Sequence, residues 1–212
     1  VTPFALSTTD ASAISTAFAI TAAGGNSNNG AINWSYAISE ANLNFLAASE
    51  VVTAVFAVTV ADGNGGSTTQ DVTITITGSN DAPAISANSA AGCSGSASLS
   101  EADTTLSASG SLGVSDVDLS NTVTAAVVGV AKGGTTAGLV SDSAALLAML
   151  TVAPAAPTPV VGSTSTAGTL GWTFNSNSEA FNYLAAGEQL MLTYTVRVTD
   201  SAGAIADQAV TI

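Results

Sequence analysis

The stretch VVTAVFAVTVADGNGGSTTQDVTITIT, residues 51–77, decides how the rest of the chain is read. Apolar side chains recur at every second position through Val52, Ala54, Phe56, Val58 and Val60, and again through Val72, Ile74 and Ile76. That is the period of a strand with one buried face. Between the two runs stands Asp62-Gly63-Asn64-Gly65-Gly66, and Gly and Asn tolerate the positive φ that a tight hairpin turn needs. The reading is a β-hairpin.

The same pattern extends outward in both directions. INWSYAI (32–38), LSASGSLGV (106–114), TVTAAVVGV (122–130), TLGWTF (169–174), QLMLTYTVRV (189–198) and IADQAVTI (205–212) all read as strands. ALLAML (145–150) is the one helix-like run, and Pro154, Pro157 and Pro159 mark a loop. Short strands at regular spacing with almost no helix predict an all-β chain of antiparallel β-sandwiches.

The chain also matches itself. Displaced by 138 residues without gaps, it shows 14 identities over the 41 positions from Trp34 to Ile74. Trp34 falls on Trp172, Leu46-Ala47-Ala48 on Leu184-Ala185-Ala186, Glu50 on Glu188, Asp62 on Asp200, and Val72-Thr73-Ile74 on Val210-Thr211-Ile212. Two copies of one unit are present, which sets the expected domains at 1–82 and 83–212. The copies are framed unequally, because residues 84–138 have no counterpart ahead of the first. Domain 1 is therefore expected to lack its N-terminal strands, and domain 2 the end of its last strand and the following linker. The open edge of domain 1 is expected to be filled by other polypeptide.

Composition narrows the chemistry. There are 15 Asp and Glu against 2 Lys and Arg, no histidine and one cysteine, for a formal net charge of −13. Without histidine there is no imidazole base or ligand, and one cysteine completes neither a disulfide nor a thiolate zinc site. The negative charge argues against nucleic acid and anionic membranes as partners. No apolar run approaches a membrane span, and VTPFALSTTD does not read as a signal peptide. Carboxylates, hydroxyls and backbone oxygens remain, and these are the ligands of hard cations, calcium first. An enzyme is not expected. Paired carboxylates can hydrolyse glycosides, but nothing supplies a substrate-positioning set beside them.

FAVTVADGNGGSTTQDVTITITGSNDAP (56–83) resembles the closing hairpin and linker of VCBS-type repeats, the cadherin-like domains of very large bacterial surface and adhesion proteins. FLAASE (45–50) and YLAAGE (183–188) resemble the turn before that hairpin, and SLSEADTTLSASGSLGVSDVDLSNT (98–122) resembles the start of such a repeat. The resemblance implies tandem Greek-key, cadherin- or Ig-like sandwiches, an extracellular or bacterial cell-surface location, and calcium at the joints between domains. The linker departs from the cadherin pattern, with Gly78, Asn80, Asp81 and Ala82 where cadherins read roughly Asp-x-Asn-Asp-Asn. Fewer charges imply weaker binding or fewer ions.

Strand geometry gives the same site without the family. Ten residues at about 3.3 Å each span the height of one sandwich. A strand starting near residue 104 thus returns Asp116 and Asp118 to the end where the chain enters domain 2. Glu50, at the foot of the 51–61 strand, and Asn80 and Asp81 in the linker are expected there as well. The expected calcium ligands are Glu50, Asn80, Asp81, Asp116 and Asp118. Asp62 and Asp200 are expected to serve their hairpin turns. Trp34 and Trp172 share strand faces with Ile32 and Tyr36, and with Leu170 and Phe174, and are expected in the core rather than as platforms for sugars. Cys93 is either a semi-buried small residue or an exposed thiol.

Together these readings describe a structural and adhesive segment of a long secreted repeat protein, stiffened by calcium. Its partners would be neighbouring repeats or subunits in a head-to-tail array. The alternative is a carbohydrate- or ligand-binding module on the same scaffold, with surface glycans as partners.

Overall fold

Across residues 6–24, 30–87 and 92–212, which this computed structural model describes, every pair of named strands runs antiparallel. The chain divides into two units, Val1–Asn80 and Asp81–Ile212. The boundary falls two residues before the one expected from sequence.

Unit 1 begins with helix α1 (Thr8–Thr16), whose first turn is capped by the Ser7 side chain accepting from the Asp10 N–H. β1 (Phe18–Ala22) and β2 (Ile32–Tyr36) form one hairpin, with Phe18 opposite Tyr36 and Ile20 opposite Trp34. A 3₁₀ turn at Glu40–Asn42 leads to β3 (Val51–Ala61) and β4 (Ser67–Thr77), paired from Val51–Thr77 to Ala61–Ser67. The turn between them follows its sequence: Gly63 and Gly65 take positive φ, and Asp62 Oδ1 accepts from the N–H groups of Asn64 and Gly66 at 2.8 and 2.9 Å. The two hairpins meet through aromatic rings. Phe18 stacks on Phe56 with centroids 4.3 Å apart, and on Trp34 at 5.9 Å.

Unit 2 contains β5 (Ala84–Ser86), β6 (Ser107–Ser115), β7 (Val123–Gly134), helix α2 (Ser143–Leu147), β8 (Leu150–Ala153), β9 (Ala167–Asn175), β10 (Leu190–Asp200) and β11 (Ile205–Thr211). One sheet has the order β5-β6-β9-β8 and the other β11-β10-β7. Their inner faces bury a common core in which Leu112, Leu170, Trp172 and Phe174 from the first sheet meet Tyr194, Val196, Val198 and Val210 from the second. Ala and Val bury little area each, so such a core depends on close backbone approach. Gly110 supplies it: a Cβ there would stand 2.5 Å from the Trp172 ring. The indole N–H is satisfied by the Ser94 carbonyl at 2.6 Å.

The units share an order of elements. Leu150 lies opposite Phe174 and Val152 opposite Trp172, as Phe18 and Ile20 lie opposite Tyr36 and Trp34. A helix and two strands then lead in both cases to the closing hairpin, β3–β4 or β10–β11. α1, β1 and β8 were not legible in sequence. Thr8–Thr16 is too rich in Ser, Thr and Ala to show an apolar stripe, and β8 runs directly into Pro154. The Trp34 expectation is corrected: Trp172 is 1% exposed but Trp34 is 52% exposed. The reason is the neighbour. β6 covers Trp172, whereas among the described residues no strand lies on the corresponding edge of β2.

Replacing Trp172 with Ala should cost unit 2 about 3–5 kcal/mol in urea unfolding. The same change at Trp34 should cost roughly 1–2 kcal/mol, because half of its surface is already in water. Acrylamide should quench one of the two indoles and leave the other dark to it.

Candidate functional site: a buried carboxylate cluster

β6 ends at Ser115, and the next seven residues, 116–122, carry the chain over to the other sheet. That connection is built on its own side chains. Asp116 Oδ1 accepts from the Asp118 N–H at 3.0 Å, and the Asn121 N–H donates to the Asp118 carbonyl at 3.1 Å. Asp118 Oδ2 accepts from the Asp81 N–H at 2.9 Å and from Asn121 Nδ2 at 3.1 Å. Asp81, the first residue of unit 2, is thereby tied to a residue far along the sequence. The β10–β11 turn approaches from another side, with Ser201 Oγ donating to Asn121 Oδ1 at 3.0 Å.

Asp116, Asp118, Asn121 and Asp200 are all buried, and Asp118 is fully so. Two of their oxygens, Asp116 Oδ2 and Asp118 Oδ1, are shielded from solvent without a hydrogen-bond partner. An orphaned buried carboxylate oxygen is costly unless a proton or cation compensates it. Burial is the main cause that raises both carboxyl pKa values. Asp200 and Asp81 add repulsion at Asp116; at Asp118 the charges of Asp116, Asp81 and Asp200 help push the value up to about 6. No side-chain cation offsets them. Arg197 is committed to an exposed ion pair with Asp207 at 2.8 Å, and Lys132 lies exposed near the far end of β7 from Val123.

Three of the five expected ligands, Asp81, Asp116 and Asp118, are thus gathered in unit 2. Glu50 and Asn80 belong to unit 1. Glu50 has a structural use there: its Oε2 accepts from the Ala47 N–H at 3.0 Å, and Glu188 repeats the contact with Ala185 at 2.9 Å. The Glu of LAASE and LAAGE closes its own turn. Asp200 serves its turn as expected, accepting from the Ala204 N–H at 2.7 Å, yet it also faces the cluster electrostatically. Asn121 and Ser201 were not singled out in the sequence. Asn121 sits three residues past Asp118 in DVDLSN, the only local signal for it. Cys93 is buried.

Among the described residues, no three His, Cys, Asp or Glu side chains already stand as a formed metal centre. The two orphaned oxygens nevertheless suit a hard cation, since both belong to carboxylates and are shielded from solvent. Also among the described residues, no helix is long and apolar enough to cross a membrane. No family model, curated protein or solved structure matches the chain.

The raised Asp118 value fixes the sign of a pH effect. The folded state holds the proton more tightly than the unfolded chain, so this group favours folding at low pH. That contribution is lost as pH rises from about 4 toward about 6. In chelator, the melting temperature of the wild type should fall across that window relative to Asp118→Asn. Equal pH profiles for the two proteins would remove the assignment.

Proposed function

We propose that the chain is a structural and adhesive segment of a long extracellular bacterial protein of the VCBS-type, cadherin-like kind. In this reading Greek-key sandwiches follow one another in tandem, and calcium holds the carboxylate cluster at the start of unit 2. The observation that carries the calcium part is the pair of orphaned buried oxygens, Asp116 Oδ2 and Asp118 Oδ1, in a cluster with no basic side chain.

Asp116 and Asp118 would hold the ion, with Asp81, Asp200 and the Asn121 side chain nearest to complete the oxygen set. Calcium supplies the positive charge that lets these carboxylates stay ionised while buried. The chain's own part is mechanical. Asp118 links the entry of unit 2 at Asp81 to the β6–β7 connection, and Asn121 and Ser201 link that connection to the β10–β11 turn. An ion drawing on both sets fastens three separate segments at one point. The repeat matching of residues 34–74 with 172–212 supports tandem units, and the scarcity of charge other than carboxylate suits a calcium-rich exterior.

Because calcium binds the folded cluster and not the unfolded chain, a hundredfold excess over Kd should add about 2.7 kcal/mol of stability. Thermal melting with calcium and with chelator reads this directly. Asp116→Asn combined with Asp118→Asn should melt identically in both. A wild-type chain indifferent to calcium would overturn the reading.

A second reading has one observation in its favour. Trp34 is half exposed, as a sugar-stacking platform would be. Protection of Trp34 from acrylamide by soluble oligosaccharides would support a glycan-binding module on the same scaffold.

A further inference from the structure

Unit 1 leaves open an apolar groove whose counterpart positions in unit 2 are covered. Ile20, Ile32, Trp34, Val58, Val60 and Val72 line a cleft of about 630 Å³ between the two hairpins. Ile32, Trp34 and Val60 are 39%, 52% and 47% exposed; their counterparts Leu170, Trp172 and Val198 are 0%, 1% and 0% exposed. The side chains are nearly the same, so the difference lies in what covers them.

In unit 2 the cover is identifiable residue by residue. β6 pairs with β9 and sets Gly110 opposite Trp172 and Leu112 opposite Leu170. β7 pairs with β10 and sets Ala125 opposite Val198 and Val127 opposite Val196. The sheet orders β5-β6-β9-β8 and β11-β10-β7 become, in unit 1, only β2-β1 and β4-β3. Among the described residues, the edges of β2 and β3 that match the β6 and β7 seats pair with no strand. A sheet edge presents N–H and C=O groups at strand spacing, and such an edge recruits another strand.

We propose that the groove of unit 1 is a docking site for a strand–connection–strand segment with the chemistry of residues 104–135. Its first strand adds to β2 and its second to β3. The first must carry glycine opposite Trp34, because any Cβ at the equivalent Gly110 would meet the indole at 2.5 Å, and a large aliphatic residue opposite Ile32. The second needs a small residue opposite Val60, as Ala125 is opposite Val198. A glycan fits less well. Most of the lining is aliphatic, and the remaining polar groups of the cleft, Thr68 and Gln70, are too few to read sugar hydroxyls. A second copy of this chain would have to withdraw its own 104–135 from a fully buried core to serve as donor. This assignment does not depend on calcium at the carboxylate cluster.

The test uses the intact 212-residue chain in excess chelator and the synthetic peptide 104–135. Saturating peptide should bind one to one, shield Trp34 from acrylamide, and slow amide exchange in β2 and β3 by about tenfold or more. The Gly110→Val peptide should bind about tenfold more weakly. A second chain, carrying a duplicate of 81–135 ahead of Val1, should show the same protection without relying on peptide solubility. A Trp34 that stays quenchable in that joined chain would overturn the proposal. So would shielding produced by oligosaccharide alone, or by raising the concentration of the original chain alone.

Discussion

A sheet made of Ala, Val, Thr and Ser gains little from each residue it buries, so its inner face must be covered almost completely before folding is favourable. Unit 2 meets that demand by bringing backbones close. Glycine at position 110 lets β6 lie flat against the largest side chain of the core, and Trp172, Tyr194 and Phe174 then fill the space between two sheets of otherwise small residues. Unit 1 carries the same aromatic stripe in Phe18, Trp34, Tyr36 and Phe56, but it stacks two bare hairpins on each other and leaves the rim wet.

That contrast explains what could be read in advance. Period-two alternation located β3, β4, β6, β7, β9, β10 and β11 to within a few residues, because each turns one face at least partly away from water. The internal match, 41 positions at a displacement of 138, aligns turns that share a contact in the structure: the glutamate of LAASE and that of LAAGE each accept from the N–H three residues earlier, although Glu50 was expected as a calcium ligand. It misled at Trp34. Identical residues were assigned identical burial, although burial belongs to the neighbour across the sheet and not to the residue itself. One position in that turn shows the limit in another way. Ser49 and Gly187 both adopt positive φ, so the backbone geometry persists where the residue best suited to it does not.

The candidate site was legible in part, for a comparable reason. Asp116 and Asp118 stand out as close carboxylates after a strand, and strand length places them at one end of the unit. Asn121 bonds Asp118 three residues away, but Ser201 joins them through a hydrogen bond to Asn121 across 80 positions, which no local pattern encodes. Burial of these carboxylates also sets the cluster apart from Asp62 and Asp207. Those two are exposed and are held below the usual carboxylate range, chiefly by backbone N–H groups and by Arg197 respectively.

The registers also set an order in time. In unit 1 every named strand pairs with its nearest neighbour in sequence, Phe18 with Tyr36 and Val51 with Thr77. In unit 2, completing the sheets also requires Ser107 to find Asn175 and Val123 to find Asp200. Closing long loops is entropically slow, whereas hairpins form in about 1–10 μs. The hairpins of unit 1 are therefore expected to close faster than the β6–β9 and β7–β10 pairings of unit 2.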